Sequence, residues 1–137
     1  MQKENLEMYV GVIYRLRADA NTPVPLPKLK AYFGFTLISI HEMIQKLEGA
    51  QLVHYIRYKG VTLTAQGEQI AAALIRRHRI WERFLNDQLG IPIEQVHEIA
   101  DALEHAAPEL VTERLAALLG EPESCPHGSH IPHSQTA

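Results

Sequence analysis

In one place only, between Leu52 and Thr64, does the chain change from helical to strand-like patterning, and that change limits the folds open to it. Leu52-Val53-His54-Tyr55-Ile56-Arg57-Tyr58 is rich in β-branched and aromatic residues, Lys59-Gly60 is a turn signal, and Val61-Thr62-Leu63-Thr64 is a second short β-rich run. Everything else with a period is helical. The pattern predicts a mainly α chain with one small β hairpin.

Ahead of the hairpin, Leu6, Tyr9, Val10, Ile13 and Leu16 recur at helical spacing and predict a helix over about 4–18. The stretch Ala20 to Pro27 contains three prolines and reads as a loop. A short helix is expected over 27–33, with Pro27 suited to its first turn, and Gly34 marks a tight turn. The next helix, 37–49, places Ile40, Met43, Ile44 and Leu47 on one face and Ser39, His41, Glu42, Gln45 and Lys46 on the other. Three helices followed by a hairpin is the order of a winged helix-turn-helix. It is also the order of a small α+β unit used for protein contacts.

Behind the hairpin, Thr64 is a good N-cap residue. The reciprocal capping box is absent, because Gly67 stands where Glu or Gln is needed, although Glu68 still suits the positive end of the helix. The helix it opens is expected to run to about Leu89 and stop at Gly90. Pro92 opens another through about Ala106, and Pro108 opens a third that ends at Gly120. From Glu121 onward there is no periodicity. The expected organisation is therefore 1–64, 65–120 and a tail over 121–137.

A chain of 137 residues holds one domain, or a small module plus an accessory piece. With 46% hydrophobic residues, 21% charged and a single cysteine, it is not collagenous, disulfide-stapled or wholly disordered. The opening MQKENLEMYVGVIYRLR lacks a signal core, and no run approaches the roughly 18 apolar residues of a membrane span. Together with the lone Cys125, this leads to the expectation of a cytoplasmic protein without a membrane partner. The formal net charge of −3 is an average of unlike halves. Residues 1–63 carry eight Lys/Arg against five Asp/Glu, whereas 64–137 carry five against eleven. A mildly basic front suits phosphate and an acidic back suits cations, unless both are ordinary solvated surfaces.

Four groups of residues bear on chemistry. Met8 lies away from the apolar stripe of its helix, as a surface methionine or as a thioether ligand for a softer metal. His78 and Glu82 are four apart on the long helix and converge, but His78 also falls within the apolar stripe of Ile70, Leu74, Trp81 and Leu85, where a satisfied core histidine is common. HEIADALEH, residues 97–105, puts His97, Asp101, Glu104 and His105 in nine residues, either as ligands or as a charged solvent face. Its spacing is not that of the zinc-protease motif. Cys125, His127, His130 and His133 are zinc-type donors in a proline-broken terminal segment that matches no closed zinc motif.

These motifs, taken in order, resemble the DtxR-type family of metal-dependent transcriptional repressors. The likeness covers residues 5–133 and is carried by LEMYVGVIYRL, MIQKLEGAQLVHYIRYKGVTLTAQG, RRHRIWERFLNDQLGI, VHEIADALEH and CPHGSHIP. It implies an N-terminal winged helix-turn-helix followed by an all-α dimerisation and metal-binding domain. Many members add an SH3-like domain, and the chain is expected to end about where that domain's linker would begin. The resemblance makes Met8, Glu104 and His105 ligands of one metal site, with Asp101 where iron-type members have cysteine and manganese-type members glutamate. It makes His78, Glu82 and His97 an ancillary site. Gly11 falls where manganese-type members have a bridging glutamate.

Met8 and the missing carboxylate lean toward Fe(II), and Asp101 tolerates Mn(II), so Fe(II) is favoured, Mn(II) is next, and other divalent transition metals are expected to bind in vitro. Thr36, Ser39, His41 and Glu42 match the family's base- and phosphate-contacting positions, with Ile38 where proline or a small residue is usual. Glu42 suits cytosine N4, and Lys46, Arg57 and Lys59 suit phosphates. The implied function is a metal-activated repressor of metal-homeostasis genes, a homodimer on palindromic double-stranded operator DNA. No nucleophile–base constellation is present, and no enzyme is expected. The alternatives are a metal-binding enzyme or metal buffer whose winged helix serves protein contacts, and a regulator answering another small ligand.

Overall fold

The computed structural model describes residues 3–134. Among them, the chain runs α1 (Lys3–Leu16), α2 (Leu26–Phe33), α3 (Leu37–Gly49), β1 (Val53–Ile56), β2 (Gly60–Leu63), α4 (Ala65–Asp87), α5 (Ile93–Leu103) and α6 (Glu109–Leu118). It is mainly α with a small antiparallel hairpin, as the patterning requires. Two compact units divide between Ala71 and Ala72, inside α4.

In the amino-terminal unit, the apolar faces of the first three helices and the hairpin close one core. Val10 and Ile13 of α1, Leu29 of α2, Ile40, Ile44 and Leu47 of α3, and Val53 and Val61 of the hairpin are all buried. Burying such a side chain contributes roughly 1.5–3 kcal/mol, so this contiguous cluster is what stabilises the unit. The helix ends follow local chemistry. Thr36 caps α3 by accepting from the Ser39 amide at 3.1 Å. Gly34 ends α2 in the left-handed region, at φ 69°.

The hairpin pairs Val53 with Leu63 and Ile56 with Gly60. Val24 extends it by exchanging two backbone hydrogen bonds with Val61, at 2.8 and 3.0 Å. That contact explains Gly60: its φ is +128°, and a Cβ there would lie 2.0 Å from the Val24 carbonyl oxygen. The strands are shorter than their β-rich runs because Tyr58, at φ 69°, turns the chain.

The carboxy-terminal unit contains the rest of α4, α5, α6 and the segment after it. Ile80, Ala116 and Ile131 form one small core, and Leu85, Val96 and Ala100 another. α5 stops at Leu103, earlier than its sequence suggests. The next turn tightens, with the Ala106 amide bonding to Leu103, and Pro108 follows. The aperiodic segment after α6 is folded. Cys125 bonds to Ser129 at 2.8 Å, Ile131 to Glu123 at 2.8 Å, and Cys125 and Ile131 are buried. Among the described residues, no helix is long and apolar enough to cross a membrane.

Candidate metal centre

The carboxy-terminal unit gathers the donors. His78 and Glu82 sit one turn apart on α4 and are only 2% and 3% exposed. His97 and Asp101 sit one turn apart on α5 and are half-exposed, and Glu104 follows at the end of that helix, buried. The two helices face each other through these residues. His78 Nδ1 donates to Glu104 Oε2 at 2.6 Å and lies 3.1 Å from Asp101 Oδ1. Its Nε2 is 3.1 Å from His97 Nδ1 and 3.3 Å from Glu82 Oε1. His97 Nε2 is 3.4 Å from Asp101 Oδ2, and His105 Nε2 is 3.4 Å from Glu104 Oε1.

Burying His78 disfavours its charge, but the hydrogen bonds it donates to Asp101, Glu104 and Glu82 more than offset that, and its pKa rises from 6.5 to about 10. Burial likewise opposes ionisation of Glu82, and the hydrogen bond and charge of His78, helped by His127 and His97, hold its pKa below the ordinary value. Metal-free, this is a protonated imidazole clamped among carboxylates. Asp101 and Glu104, expected in a site apart from His78, thus share its Nδ1.

Among the described residues, two donor sets lie close enough to hold an ion. Ligand atoms of His78, His97 and Asp101 fall within 4.8 Å of one another, as do those of Glu82, Cys125 and His127. The second set joins Glu82, an expected ligand, to Cys125 and His127, which sequence reasoning left outside the expected ligands. Glu82 Oε2 is buried and has no hydrogen-bond partner, although His127 Nδ1 is 3.3 Å away and His97 Nδ1 3.8 Å. Cys125 Sγ is 4.0 Å from that same His127 nitrogen.

In the neutral ring, the form that a metal takes, His127 Nε2–H donates to the Ile93 carbonyl at 3.2 Å and the Nδ1 lone pair faces Glu82. A lone pair, a carboxylate and a thiol sulfur converging on one point repel unless a proton or a cation lies between them. The donor types fit a divalent transition metal, N and O in one set and N, O and S in the other. The sequence signal was Cys-Pro-His itself, though no local spacing names Glu82 as its partner.

Met8 lies on α1 in the amino-terminal unit, 38% exposed. In that unit the expected nucleic-acid positions are all exposed: Thr36, Ser39, His41, Glu42 and Lys46 on or before α3, and Arg57 and Lys59 at the hairpin tip. Thr36 and Ser39 bond to each other as the cap of α3. His41 packs edge-on against Tyr55, and the Arg57 guanidinium covers the Tyr58 ring at 5.0 Å. Ile38 projects from the same helix, 73% exposed, which a core role does not explain.

The model of the "iron dependent repressor, metal binding and dimerisation domain" family matches residues 64–133. The diphtheria toxin repressor of Corynebacterium jeikeium is 31% identical over 94% of this chain and 53% of its own length. A solved manganese-dependent transcriptional repressor in complex with manganese superposes with a TM-score of 0.83 at 35% identity, over 94% of this chain and 59% of that one. A hypothetical protein from Sulfolobus solfataricus, also solved, superposes with a TM-score of 0.74 at 26% identity over 97% of this chain and all of its own. The chain thus spans about half the length of the curated relatives it matches. With the family's metal-binding model covering just over half of its residues, in a span that contains both donor sets, the chain belongs to the iron-dependent repressor family of metal-dependent regulators.

Proposed function

We propose that this chain is a metal-activated transcriptional repressor of metal-homeostasis genes that binds a palindromic operator as a homodimer. The observation that carries the reading is the cluster of buried His78, Glu82 and Glu104 with half-exposed Asp101, linked to His97 and to Cys125–His127, in a chain whose other unit is three helices and a hairpin. In the metal-free protein, His78 must stay protonated to hold three carboxylates together. A bound divalent ion supplies that positive charge instead and frees the ring nitrogens to act as ligands.

By the family resemblance Met8, Asp101, Glu104 and His105 are metal ligands as well. Fe(II) is the first ion and Mn(II) the second. Met8 supplies a soft donor, and Cys125 supplies another to the set with Glu82 and His127. A homodimer presents two α3 helices to successive major grooves about 34 Å apart, or a multiple of that. Thr36, Ser39, His41 and Glu42 contact bases and phosphates there, while Lys46, Arg57 and Lys59 meet phosphates. Coupling of about 1–3 kcal/mol per linked site is enough to change operator occupancy usefully. The protein works in the cytoplasm.

The test is DNA binding in chelator, restored ion by ion under anaerobic conditions. Salt-sensitive binding to a palindrome that requires Fe(II) or Mn(II) supports the reading. Tight metal binding with no footprint would make the chain a metal buffer, and full affinity in chelator would make it a regulator of another ligand. Glu104→Ala and His105→Ala should abolish the metal response while leaving the dimer intact.

A further inference from the structure

We propose that Arg76, Arg79 and Arg83 are positioning residues that hold the 124–132 segment against α4 and so set Cys125 and His127 opposite Glu82. The inference rests on the reading that Glu82, Cys125 and His127 hold a metal ion. Three and four residues apart, the arginines share one face of α4. Each donates to a backbone carbonyl of the same segment. Arg83 Nε reaches the Ser124 oxygen at 3.1 Å, Arg79 Nη1 reaches the His130 oxygen, and Arg76 Nη1 reaches the Pro132 oxygen at 2.9 Å. The donors ascend α4 as the acceptors descend the segment, so the segment is laced antiparallel along the helix.

Such lacing is needed here. The segment has no helix or strand of its own, only one isolated bridge between Ser124 and His130 and a few turn bonds. Without the arginines the Ser124, His130 and Pro132 carbonyls would lose these donors, and Cys125 and His127 would sample many positions. A guanidinium donates along fixed directions and keeps its charge at any working pH, so it fixes a carbonyl better than a neutral side chain does. Arg83 is the critical anchor because Ser124 immediately precedes Cys125. Arg76 also bridges to Glu113 of α6 at 2.9 and 3.1 Å, so its loss reports on more than the segment.

The test uses Co(II) under anaerobic conditions, read by the thiolate-to-cobalt charge-transfer band, together with amide exchange of Cys125, Gly128 and Ile131 in the metal-free protein. The intact protein should show the band, and Cys125→Ser should lose it. Arg83→Ala should need about 10–100 times more Co(II) for half the band, the range for loss of an outer-shell partner. Arg79→Ala should shift in the same direction, and Arg83→Lys should recover part of the loss. The three amides should exchange faster in both alanine variants while α4 and α5 stay protected. Wild-type midpoints in Arg83→Ala and Arg79→Ala would overturn the positioning role. A band missing from the intact protein, or kept in Cys125→Ser, would instead overturn the donor set, and the proposal with it.

Discussion

His127 has one ring nitrogen committed to the Ile93 carbonyl and the other turned toward Glu82. Its neighbour His78 has both nitrogens among acceptors and carries a proton well past neutral pH. Because the pKa of His78 is raised, its stabilisation of the metal-free protein is fully present below about pH 6.5 and is lost as pH rises through about 10. Glu82 works in the opposite direction: its pKa is lowered, so its contribution is present above about 4.5 and lost as pH falls through its depressed value. Hence His78→Ala should cost the metal-free protein about 3–5 kcal/mol near neutral pH, since it leaves buried carboxylates uncompensated. That cost should shrink above pH 10, which denaturant melts at the two pH values will measure. The same proton must leave before His78 serves as a ligand, so metal affinity should rise with pH across the neutral range.

Gly67 is a second residue-scale case. Its position in the first turn of α4 calls for Glu or Gln by the capping-box rule, and the structure shows why neither is there. A Cβ on Gly67 would lie 2.0 Å from the Leu52 carbonyl oxygen, an atom held by the Thr64 amide at 3.0 Å. Gly67→Ala should therefore destabilise the amino-terminal unit by about 1–3 kcal/mol through overpacking. Thermal melts will check this.

At the scale of elements, periodicity was a good guide wherever one apolar face meets one core. The expected span of α3, 37–49, is the observed one, because Thr36 caps its start and Ile40, Met43, Ile44 and Leu47 share its buried face. Thr64 does for α4 what its type implies. Its hydroxyl accepts from the Gly67 amide at 3.0 Å and donates to the Gln51 carbonyl at 2.8 Å. Thr64→Ala should cost about 1 kcal/mol and Thr64→Ser much less, measured by chemical denaturation. The segment after α6 was opaque to periodicity because side chains from elsewhere hold it by its carbonyls, and carbonyls have no sequence signature.

At the scale of the whole molecule, the charge division agrees with the separation into units: exposed Lys46, Arg57 and Lys59 in one, most of the carboxylates in the other. If the hairpin tip meets phosphate, Lys59→Ala should weaken binding to all sequences alike and lower the salt slope by about 1, read from binding isotherms over a salt series. Altered sequence preference instead would remove Lys59 from the backbone contacts. Val111 and Leu118, seven apart on α6, are exposed. If these two side chains form the face of the proposed homodimer, Leu118→Asp should produce monomers in sedimentation velocity while leaving the Co(II) band in place.

The sequence by itself determined the helices, the hairpin, the caps and the i, i+4 pairs His78–Glu82 and His97–Asp101, because each depends on residues within a turn or two of one another. Only the tertiary structure decided that Asp101 and Glu104 meet His78, and that Cys125 and His127 meet Glu82. Those encounters join α4 to α5 and to the final segment through residues far apart in the chain. Distance in sequence says nothing about them; packing of small cores around Ile80 and Leu85 and the arginine donors of α4 bring them about.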